Sequence, residues 1–516
     1  MRVTSSMMTN NMMINVNRGM RNLWDAEMMW SSGRRIQVPS DNPLIAARHM
    51  KFRNNKAANE DFQRNVENAL AWMDITEAAL DGVLRTLLNQ IRDLVNTAHN
   101  DYNVLENRNA IVTQLNHLRQ QIGNEMNTRM AGRYVFSGLR TDQPPLFTQE
   151  QPLLSFRITQ NFNLVDIERT RSLQIFQPEL DADGNVTLPH PLPIVRDPIH
   201  ILKLAYNNID LHPSGAPNIT ITDANGTPFV VRMRDLSDPN AYNANNIDLD
   251  GPVPGPADPE YLLPGEVIFI RETGELIFRT DDVTGATGSA RFPISITYEK
   301  TGFARDELNP VVYFDTTLLY APAGHSMRHL VGQSFNMNKQ DMLYEFSTHT
   351  TIPVNVQARN VLTDKLYADL VRLVNFITDI RPTDRARLTQ FYRQQNPQWT
   401  DHEIETAVGQ HLSEETTFIN AAMNSRFNNM LFLIDRHAAG IREQVTDIGS
   451  RARRLELMQN RLEQDEGSLE RLYTNNIAVD MARVTTLLAT AEARYMAAIR
   501  VGTNIINITL ANFLQV

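Results

Sequence analysis

The chain contains no cysteine in its 516 residues. That absence excludes disulfide bonds, thiolate-bound metals and a cysteine nucleophile. Long apolar runs are also missing, since no stretch approaches the roughly 18 consecutive apolar residues that a membrane-spanning helix needs. Basic residues are outnumbered, because 49 Lys and Arg stand against 59 Asp and Glu, for a net charge of -10. The sequence therefore lacks the overall basic field that would favour a nucleic-acid partner.

The first twenty residues, MRVTSSMMTNNMMINVNRGM, have no continuous apolar segment and no A-x-A-like cleavage site. We therefore expect no cleaved signal peptide and no membrane anchor. On this ground alone the chain is either cytoplasmic or exported by a route that needs no such signal.

Residue types that could support catalysis or bind a metal are scattered. His325 and His329, in HSMRH, are spaced for one face of a helix. They lack the glutamate of an H-E-x-x-H motif, and no third ligand is in view. DADGN at 181–185 and GATGSA at 285–290 have the composition of turns. We therefore expect no catalytic residue, no cofactor and no metal ion, and hence no enzyme.

The sequence does contain a long helical repeat towards its C-terminal end. Apolar residues recur every seven positions at Phe427, Ile434, Ile441, Ile448, Leu455, Leu462 and Leu469. A helix of that length, roughly 65 Å at 1.5 Å per residue, cannot bury its stripe in a compact globule, so the pattern predicts a coiled coil or bundle. A second series of sevens comprises Val66, Met73, Leu80, Leu87 and Leu94. We predict that both series form the core of a helical rod.

Each end of the chain carries a further helix beyond a break. After Leu469 the apolar series resumes at Ile477, eight positions on, and TNN at 474–476 forms helix weakly, so a boundary is predicted there. Near the other end, GRRIQVPSDNP at 33–43 combines a helix-ending glycine, an extended segment and a helix start. We predict a hinge turn formed by Gly33, Pro39, Asp41 and Pro43.

The middle of the chain, from about 140 to 358, is rich in Pro, Gly, Asn and Asp and contains short alternating runs. NITITDANGTPFVVRM at 218–233 and VIFIRETGELIFRT at 267–280 predict hairpins, and FPISITYE at 292–299 predicts a further strand. We therefore predict an α+β fold, with N- and C-terminal helices packed together as a rod and a β-rich insertion between them. The expected domains are an inner terminal domain of 1–38 with 475–516, a rod of 39–140 with 359–474, and an outer region of 141–358.

Several stretches resemble the flagellin-like family of bacterial flagellar proteins. They are SSGRRIQVPSDNPLIAARHM at 31–50, NQIRDLVNTAHND at 89–101, NRNAIVTQLNHLRQQIGNEMNTRMAGRYVFSGLRTDQPP at 107–145 and AEARYMAAIRVGTNIINITLANFLQV at 491–516. Within the family, GRYVFSGLRTDQPP and DMLYEFSTHTTIPVNVQARNVL at 341–362 are most similar to the members that join hook to filament.

The resemblance implies a structural role in the flagellum. The terminal helices would line an axial channel, the next helices would form a rod, and the insertion would face outward. The implied partners are another hook-associated protein on the hook side, flagellin on the filament side, copies of the chain in a ring, and a cytoplasmic export chaperone on the C-terminal helix. Export to this extracellular position would use the flagellar type III apparatus without a cleaved signal, and no nucleic acid or membrane insertion is implied.

An isolated terminal helix is marginal in water, because helix nucleation is costly and its apolar stripe is solvated. We therefore expect an assembly interface whose residues gain burial mainly when copies associate, at Met13, Met20, Leu23, Trp30, Ile477, Val484, Leu487, Leu488 and Ile505. Two alternatives stay open. The chain could be a flagellin that forms the filament itself, or its insertion could be an adhesin or glycan-degrading module, which would need a cleft with paired carboxylates.

Overall fold

The structure is a computed structural model that describes residues 5–100, 105–170, 173–174, 178–180, 186–187, 194–195, 199–211, 218–234, 265–284, 291–338, 340–380 and 382–513. Its helices are α1 (Ser5–Ser32), α2 (Pro43–Arg85), α3 (Arg92–Asn100), α4 (Leu105–Met126), α5 (Thr280–Thr284), α6 (Pro310–Tyr313), α7 (Ala358–Val361), α8 (Asp364–Asp379), α9 (Arg385–Gln395), α10 (Asp401–Ile477) and α11 (Met481–Phe513). A π-helical turn, Thr86–Ile91, joins α2 to α3. Among these described helices, none has the length and apolar character needed to cross a membrane.

The strands are β1 (Arg129–Met130), β2 (Arg133–Tyr134), β3 (Gln151–Phe162), β4 (Glu168–Thr170), β5 (Leu173–Gln174), β6 (Glu179–Leu180), β7 (Val186–Thr187), β8 (Ile194–Val195), β9 (Ile199–Lys203), β10 (Ile219–Asp223), β11 (Val230–Arg234), β12 (Glu266–Ile270), β13 (Glu275–Phe278), β14 (Ile294–Phe303), β15 (Asp315–Tyr320), β16 (Ser334–Phe335), β17 (Leu343–Ser347) and β18 (Thr350–Pro353). One five-stranded sheet has the order β10-β14-β3-β15-β16, and we call it the first sheet. Another has the order β11-β12-β13-β9-β4, and we call it the second sheet. Long helices with a central β region confirm the predicted α+β class.

The chain forms two compact units. The terminal unit comprises Met1–Leu70, Tyr344–Ile352 and Arg453–Val516, and the central unit comprises Ala71–Leu343 and Pro353–Ala452. Because this division runs through α2 and α10, the terminal helices share a unit with part of each long helix. Residue 38 lies between α1 and α2 and residue 475 lies in the last turn of α10, and the domain limits that the sequence predicts there stay predictions.

The heptad residues lie on the buried faces of α2, of the π-helical turn and α3 that continue it, and of α10. In the central unit, side chains exposed by 1% or less are Met73, Leu80, Leu87, Phe427, Ile434, Ile441 and Ile448. In the terminal unit, side chains exposed by 6% or less are Val66, Leu455 and Leu462, and the amide of buried Asn59 donates to the Leu462 carbonyl at 2.9 Å. Leu94 and Leu469, at the ends of the two series, are half-buried.

The predicted boundary at 474–476 is wrong by a few residues. The TNN stretch stays inside α10, which continues to Ile477. The break falls at 478–480, because Asp480 caps the next helix and accepts hydrogen bonds from the backbone N–H groups of Ala482 at 3.0 Å and Arg483 at 3.4 Å. Weak helix propensity in three residues does not end a helix whose apolar face is packed.

The β region bears out two of the three predicted strand patterns. β12 and β13 form the predicted hairpin, with Ile270 opposite Glu275, and FPISITYE lies largely in β14. The hairpin predicted at 218–233 forms next to its turn, where the Phe229 N–H donates to the Ile221 carbonyl at 2.9 Å and Thr222 pairs with Pro228, but it is wrong beyond these residues. Gly226 has the expected positive φ of 79°, but β10 pairs with β14 while β11 leaves to pair parallel to β12. The partners of both strands lie far away in the sequence, so a local turn cannot specify which strands pair.

Lys203 is a basic side chain in an apolar part of the second sheet. It ends β9 directly opposite the buried Glu275 of β13, and its Nζ donates to Asn207 Oδ1 at 2.5 Å. Burial lowers the pKa of Lys203 to about 7 from 10.5, with the Glu275 carboxylate opposing the shift.

We expect this depressed pKa to give the protein a pH-dependent stability that Lys203→Met removes. Between pH 7 and 10.5 the unfolded lysine still binds a proton that the folded one has released, so stability rises with pH. The free energy of unfolding of the wild type should rise by about 1.4 kcal/mol per pH unit relative to that of the variant across this window. Urea denaturation at pH 7, 8 and 9 measures the difference, and two parallel curves would contradict the assignment.

Candidate assembly surface on the terminal helices

The two helix breaks of the terminal unit are joined to each other by backbone hydrogen bonds. The Arg35 N–H donates to the Ile477 carbonyl at 2.7 Å, and the Val479 N–H donates to the Gly33 carbonyl at 3.2 Å. The end of α1 is thereby fixed beside the start of α11. The two terminal helices consequently run antiparallel from a shared point.

A compact turn then leads into α2. The Asp41 carboxylate accepts hydrogen bonds from the backbone N–H groups of Val38 and Gln37, each at 2.9 Å, and these bonds lower the pKa of Asp41. The Asn42 side chain accepts from the Ile45 N–H at 3.2 Å, and Pro43 is the first residue of α2. Pro39 lies in the exposed turn between these groups. Gly33, Pro39 and Asp41 therefore lie between the two helices, and Pro43 begins the second of them.

Gly33 has a φ of 67°, a left-handed conformation that costs other residues about 1–2 kcal/mol. A Cβ at this position would have no atom within 4 Å, so Gly33→Ala introduces only backbone strain. We expect the substitution to lower the free energy of unfolding of the terminal unit by about 1 kcal/mol.

Gly467→Ala provides a control of opposite sign. Gly467 lies inside α10, where a Cβ would likewise have no atom within 4 Å, and alanine there should stabilise the helix by about 1 kcal/mol. Thermal denaturation measures the change in melting temperature of both variants. Changes in the same direction would refute the conformational explanation for Gly33.

Glycine also allows α1 and α11 to approach closely. A Cβ on Gly19 would lie 3.6 Å from the Tyr495 backbone, and one on Gly502 would collide with the Met12 side chain. The Tyr495 hydroxyl lies 3.9 Å from Met20 Sδ. Glycine on each helix therefore faces a larger side chain of the other, Tyr495 opposite Gly19 and Met12 opposite Gly502, which brings the two helices close together.

The large apolar side chains of α1 and α11 are mostly exposed. Of the predicted interface residues, the exposed ones are Met13 at 58%, Met20 at 51%, Trp30 at 48% and Leu487 at 49%. Leu23, Ile477 and Leu488 are half-buried, whereas Val484 is only 3% exposed and has little surface left for a partner. The Ile505 side chain lies outside the described residues.

Further exposed apolar residues on the same helices do not belong to the predicted set. They are Met7, Ile14, Trp24, Met481, Met496, Ile499 and Val501. Met481 and Val501 repeat the positions of Leu488 and Leu487 at seven-residue spacing, so the period could have selected them, whereas the others lie away from the predicted stripe. The large number of apolar residues on these helices is the sequence signal that could have identified them. A helix that is apolar around most of its circumference is normally covered on more than one side. Exposed apolar side chains grouped on one element are typical of interaction surfaces, so the predicted assembly interface stays a prediction.

His325, the first of the two histidines singled out in the sequence, lies among neutral hydrogen-bond partners. His325 Nε2 lies 3.2 Å from Gln151 Oε1, and its Nδ1 accepts from the Met327 N–H at 3.1 Å. Within the described ranges, no three His, Asp or Glu side chains are grouped to hold a metal ion. The turns predicted at 181–185 and 285–290 lie outside the described residues.

An open cleft of about 690 Å³ borders the first sheet and is lined by Asp210 and Glu299. Two carboxylates are what a glycan-degrading site needs. The Glu299 carboxylate, however, accepts hydrogen bonds from Arg157 at 2.6 and 2.9 Å and from Asn218 at 2.7 Å. Both oxygens of Glu299 are therefore taken up by side-chain donors, as in a structural ion pair.

Comparison with known proteins first gives the class of the helical part. Residues 3–141 match the bacterial flagellin N-terminal helical region. Within that class, the chain is 25% identical over 142 residues to the flagellar hook-associated protein 3 of Escherichia coli (strain K12), covering 26% of this chain and 44% of the relative. It is also 25% identical over 146 residues to the flagellar hook-associated protein 3 of Salmonella typhimurium (strain LT2), covering 28% of this chain and 46% of the relative.

The matched segments therefore span less than half the length of these relatives. A solved structure of flagellar hook-associated protein 3 from Legionella pneumophila aligns over 83% of this chain and 98% of its own, at 12% identity. Its TM-score of 0.32 is too low to support an argument from the arrangement. The predicted resemblance to the flagellin-like family, and within it to the hook–filament junction members, is confirmed.

Proposed function

We propose that the chain is a structural subunit of the bacterial flagellum, placed between hook and filament, and that it has no enzymatic activity. The observation that carries the proposal is the exposed apolar surface of α1 and α11, the assembly surface, which remains after the two helices pack together. The similarity to flagellar hook-associated protein 3 supports the location.

The physical mechanism is burial on association. Transfer of one large apolar side chain from water into an interface contributes about 1.5–3 kcal/mol. Met13, Met20, Trp30 and Leu487 are each about half exposed in the single chain. A neighbouring copy that covers them would recover on the order of several kcal/mol, before the cost of ordering the subunits. Association would therefore stabilise the terminal helices together with the ring.

The proposed partners follow from the location. They are copies of the chain in a ring, another hook-associated protein on the hook side and flagellin on the filament side. A cytoplasmic chaperone would cover the C-terminal helix before export through the flagellar type III apparatus, without a cleaved signal peptide. The methionines of α1 support this proposal, because unbranched, adaptable side chains suit a surface that meets unlike neighbours.

Deletion of the gene tests the proposal. We expect hooks to form normally, filaments to be absent, and flagellin to accumulate in the medium. Normal filaments after deletion would refute the junction role. Loss of filaments without release of any flagellin would instead indicate that this chain is the filament subunit.

Purified protein separates the same two possibilities in vitro. A junction subunit is expected to remain monomeric or to form short rings, which electron microscopy can count. Unaided growth of long filaments would favour the flagellin alternative.

A further inference from the structure

The open cleft beside the first sheet, which we call the polar cleft, is built from both sheets of the insertion. Its floor consists of side chains of β3 and β14 that alternate with buried residues, namely Ser155, Arg157, Glu299 and Thr301. Its wall contains Arg271, directly after β12, and Asp210, in the segment after β9. The Asp210 N–H donates to the Glu299 carbonyl at 3.1 Å, so the wall is joined to the floor.

The lining of the polar cleft is almost wholly polar. Of the described residues that form it, only Leu211 is apolar. The volume of about 690 Å³ lies in the usual range for small-molecule sites, but such sites are lined mainly by apolar and aromatic side chains. This lining therefore suits a ligand with many hydrogen-bonding groups and little apolar surface.

Several groups in the polar cleft keep hydrogen-bonding capacity for a ligand. Glu299 binds Arg157 through Nε and Nη2 and binds Asn218 through its amide nitrogen, which holds both side chains in place. Arg271 is held through Nε, which donates to the Ile209 carbonyl at 2.9 Å. Within the part of the chain that the structure describes, the Arg271 Nη groups and the Asp210 carboxylate have no hydrogen-bond partner.

The charges in the polar cleft cancel. Arg157 and Arg271 stand against Asp210 and Glu299, so a strongly anionic ligand would face two carboxylates and a cation would face two guanidinium groups. This balance favours a neutral ligand. Guanidinium, carboxylate and amide groups each present paired donors or acceptors in one plane, and such pairs match neighbouring hydroxyl groups of a sugar ring.

An exposed aromatic ring adjoins the polar cleft. Tyr320 of β15 lies directly opposite Ser155 of β3, and Ser155 lies opposite Thr301 of β14. Residues directly opposite each other on neighbouring strands share one face of the sheet. Tyr320 is 51% exposed, so its ring is available to a ligand on that face. The apolar face of the ring can cover the C–H face of a sugar, whose hydroxyl groups then reach the cleft.

We propose that the polar cleft binds a neutral oligosaccharide, with Tyr320 as the stacking surface and Arg157, Asp210 and Arg271 as hydrogen-bonding groups. Hydrolysis is not part of the proposal, because both oxygens of Glu299 are engaged by side-chain donors. The proposal does not rest on the junction role, since the cleft lies in the central unit and the assembly surface belongs to the terminal unit.

A glycan array probed with the purified full chain tests the proposal. The chain is displayed multivalently on beads, because an open cleft binds one sugar weakly. The array carries neutral gluco-, galacto- and manno-oligosaccharides beside their sulfated and sialylated counterparts. We expect binding to a neutral oligosaccharide, with no gain from the added acidic groups. Binding to no neutral oligosaccharide would overturn the proposal, and so would stronger binding to the acidic counterparts.

The chemistry of the cleft fits neutral glycans from more than one source. The array therefore separates oligosaccharides of bacterial polysaccharides from those of plant and animal surfaces, and the group that binds identifies the source.

Two substitutions tie the binding to the polar cleft. Arg271→Ala should weaken binding of the strongest array ligand about tenfold or more, as expected for loss of a charged hydrogen-bond donor. Tyr320→Ala should weaken it about fivefold, because the stacking surface is lost. Isothermal titration calorimetry measures both. Arg305→Ala is the matched control, since this arginine has a 69% exposed side chain outside the cleft lining, and its affinity should match wild type.

Circular dichroism and the melting temperature check that the variants are folded. Arg271 also supports the Ile209 carbonyl, so Tyr320→Ala carries the test if Arg271→Ala does not fold. Unchanged affinity in either folded variant would overturn the proposal, and so would an equal loss in Arg305→Ala.

Discussion

The triple substitution Met13→Glu, Met20→Glu and Leu487→Glu is expected to prevent incorporation of the chain into the flagellum while leaving the isolated chain folded. These side chains are about half exposed, so little intramolecular packing is lost and the melting temperature should change by only about 2 °C. Loss of three apolar contacts from an interface removes on the order of 5 kcal/mol, which weakens association by roughly 4,000-fold.

The measurement is complementation of a deletion strain, scored by attached filaments in electron micrographs. The control variant carries the same added charge at exposed positions of the same helices, as Asn11→Glu, Asn15→Glu and Ala489→Glu, and should restore filaments. Detection of both variants in the medium shows that export is intact. Filaments of normal number with the triple variant would show that this surface is not used.

Phe427→Ala is expected to lower the free energy of unfolding by about 3–5 kcal/mol. Phe427 is fully buried on α10 within the central unit, so truncation removes a large apolar side chain and leaves a cavity. Urea denaturation followed by circular dichroism measures the loss.

Phe432→Ala is a control of the same chemistry on the same helix. Phe432 is 66% exposed, five residues further along, and its truncation should cost less than about 0.5 kcal/mol. Equal effects of the two substitutions would mean that the seven-residue series does not define the buried face of α10.

The heptad pattern allowed the long helices and their buried faces to be predicted, because burial of one stripe imposes a period that the sequence must repeat. Phe427, Ile434, Ile441 and Ile448 are all buried for this reason. The prediction weakens at the ends of each series, where Leu94 and Leu469 have fewer neighbours and are half-buried. The breaks at both terminal helices were likewise predictable, the second only to within a few residues.

The strand pairing of the insertion could not be predicted to the same depth. The Asn225-Gly226 turn is encoded locally, but the choice of β12 as the partner of β11 depends on residues more than thirty positions away. The buried ion pairs of Glu168 had no sequence signal at all, since the partners Arg372 and Arg426 are more than 200 residues distant. Isolated charges acquire a role only when the fold brings them together.

The sequence predicted that the terminal helices carry an assembly surface, but it predicted less well which residues belong to that surface. The apolar stripe indicated Met13, Met20 and Leu487, which are exposed, and also Val484, which the terminal unit already buries. Trp24 was missed because it lies off the stripe, although it is more exposed than any of these. A period identifies one face of a helix, and a helix with neighbours on several sides needs the structure to show which faces are still open.

Hydrogen exchange of α1 and α11, compared between the monomer and the assembled ring, tests the central claim most directly. The account predicts rapid exchange in 5–32 and 481–513 of a verified monomer, and protection that is on the order of a hundredfold greater after assembly. Strong protection of both segments in the monomer, unchanged in the ring, would contradict it.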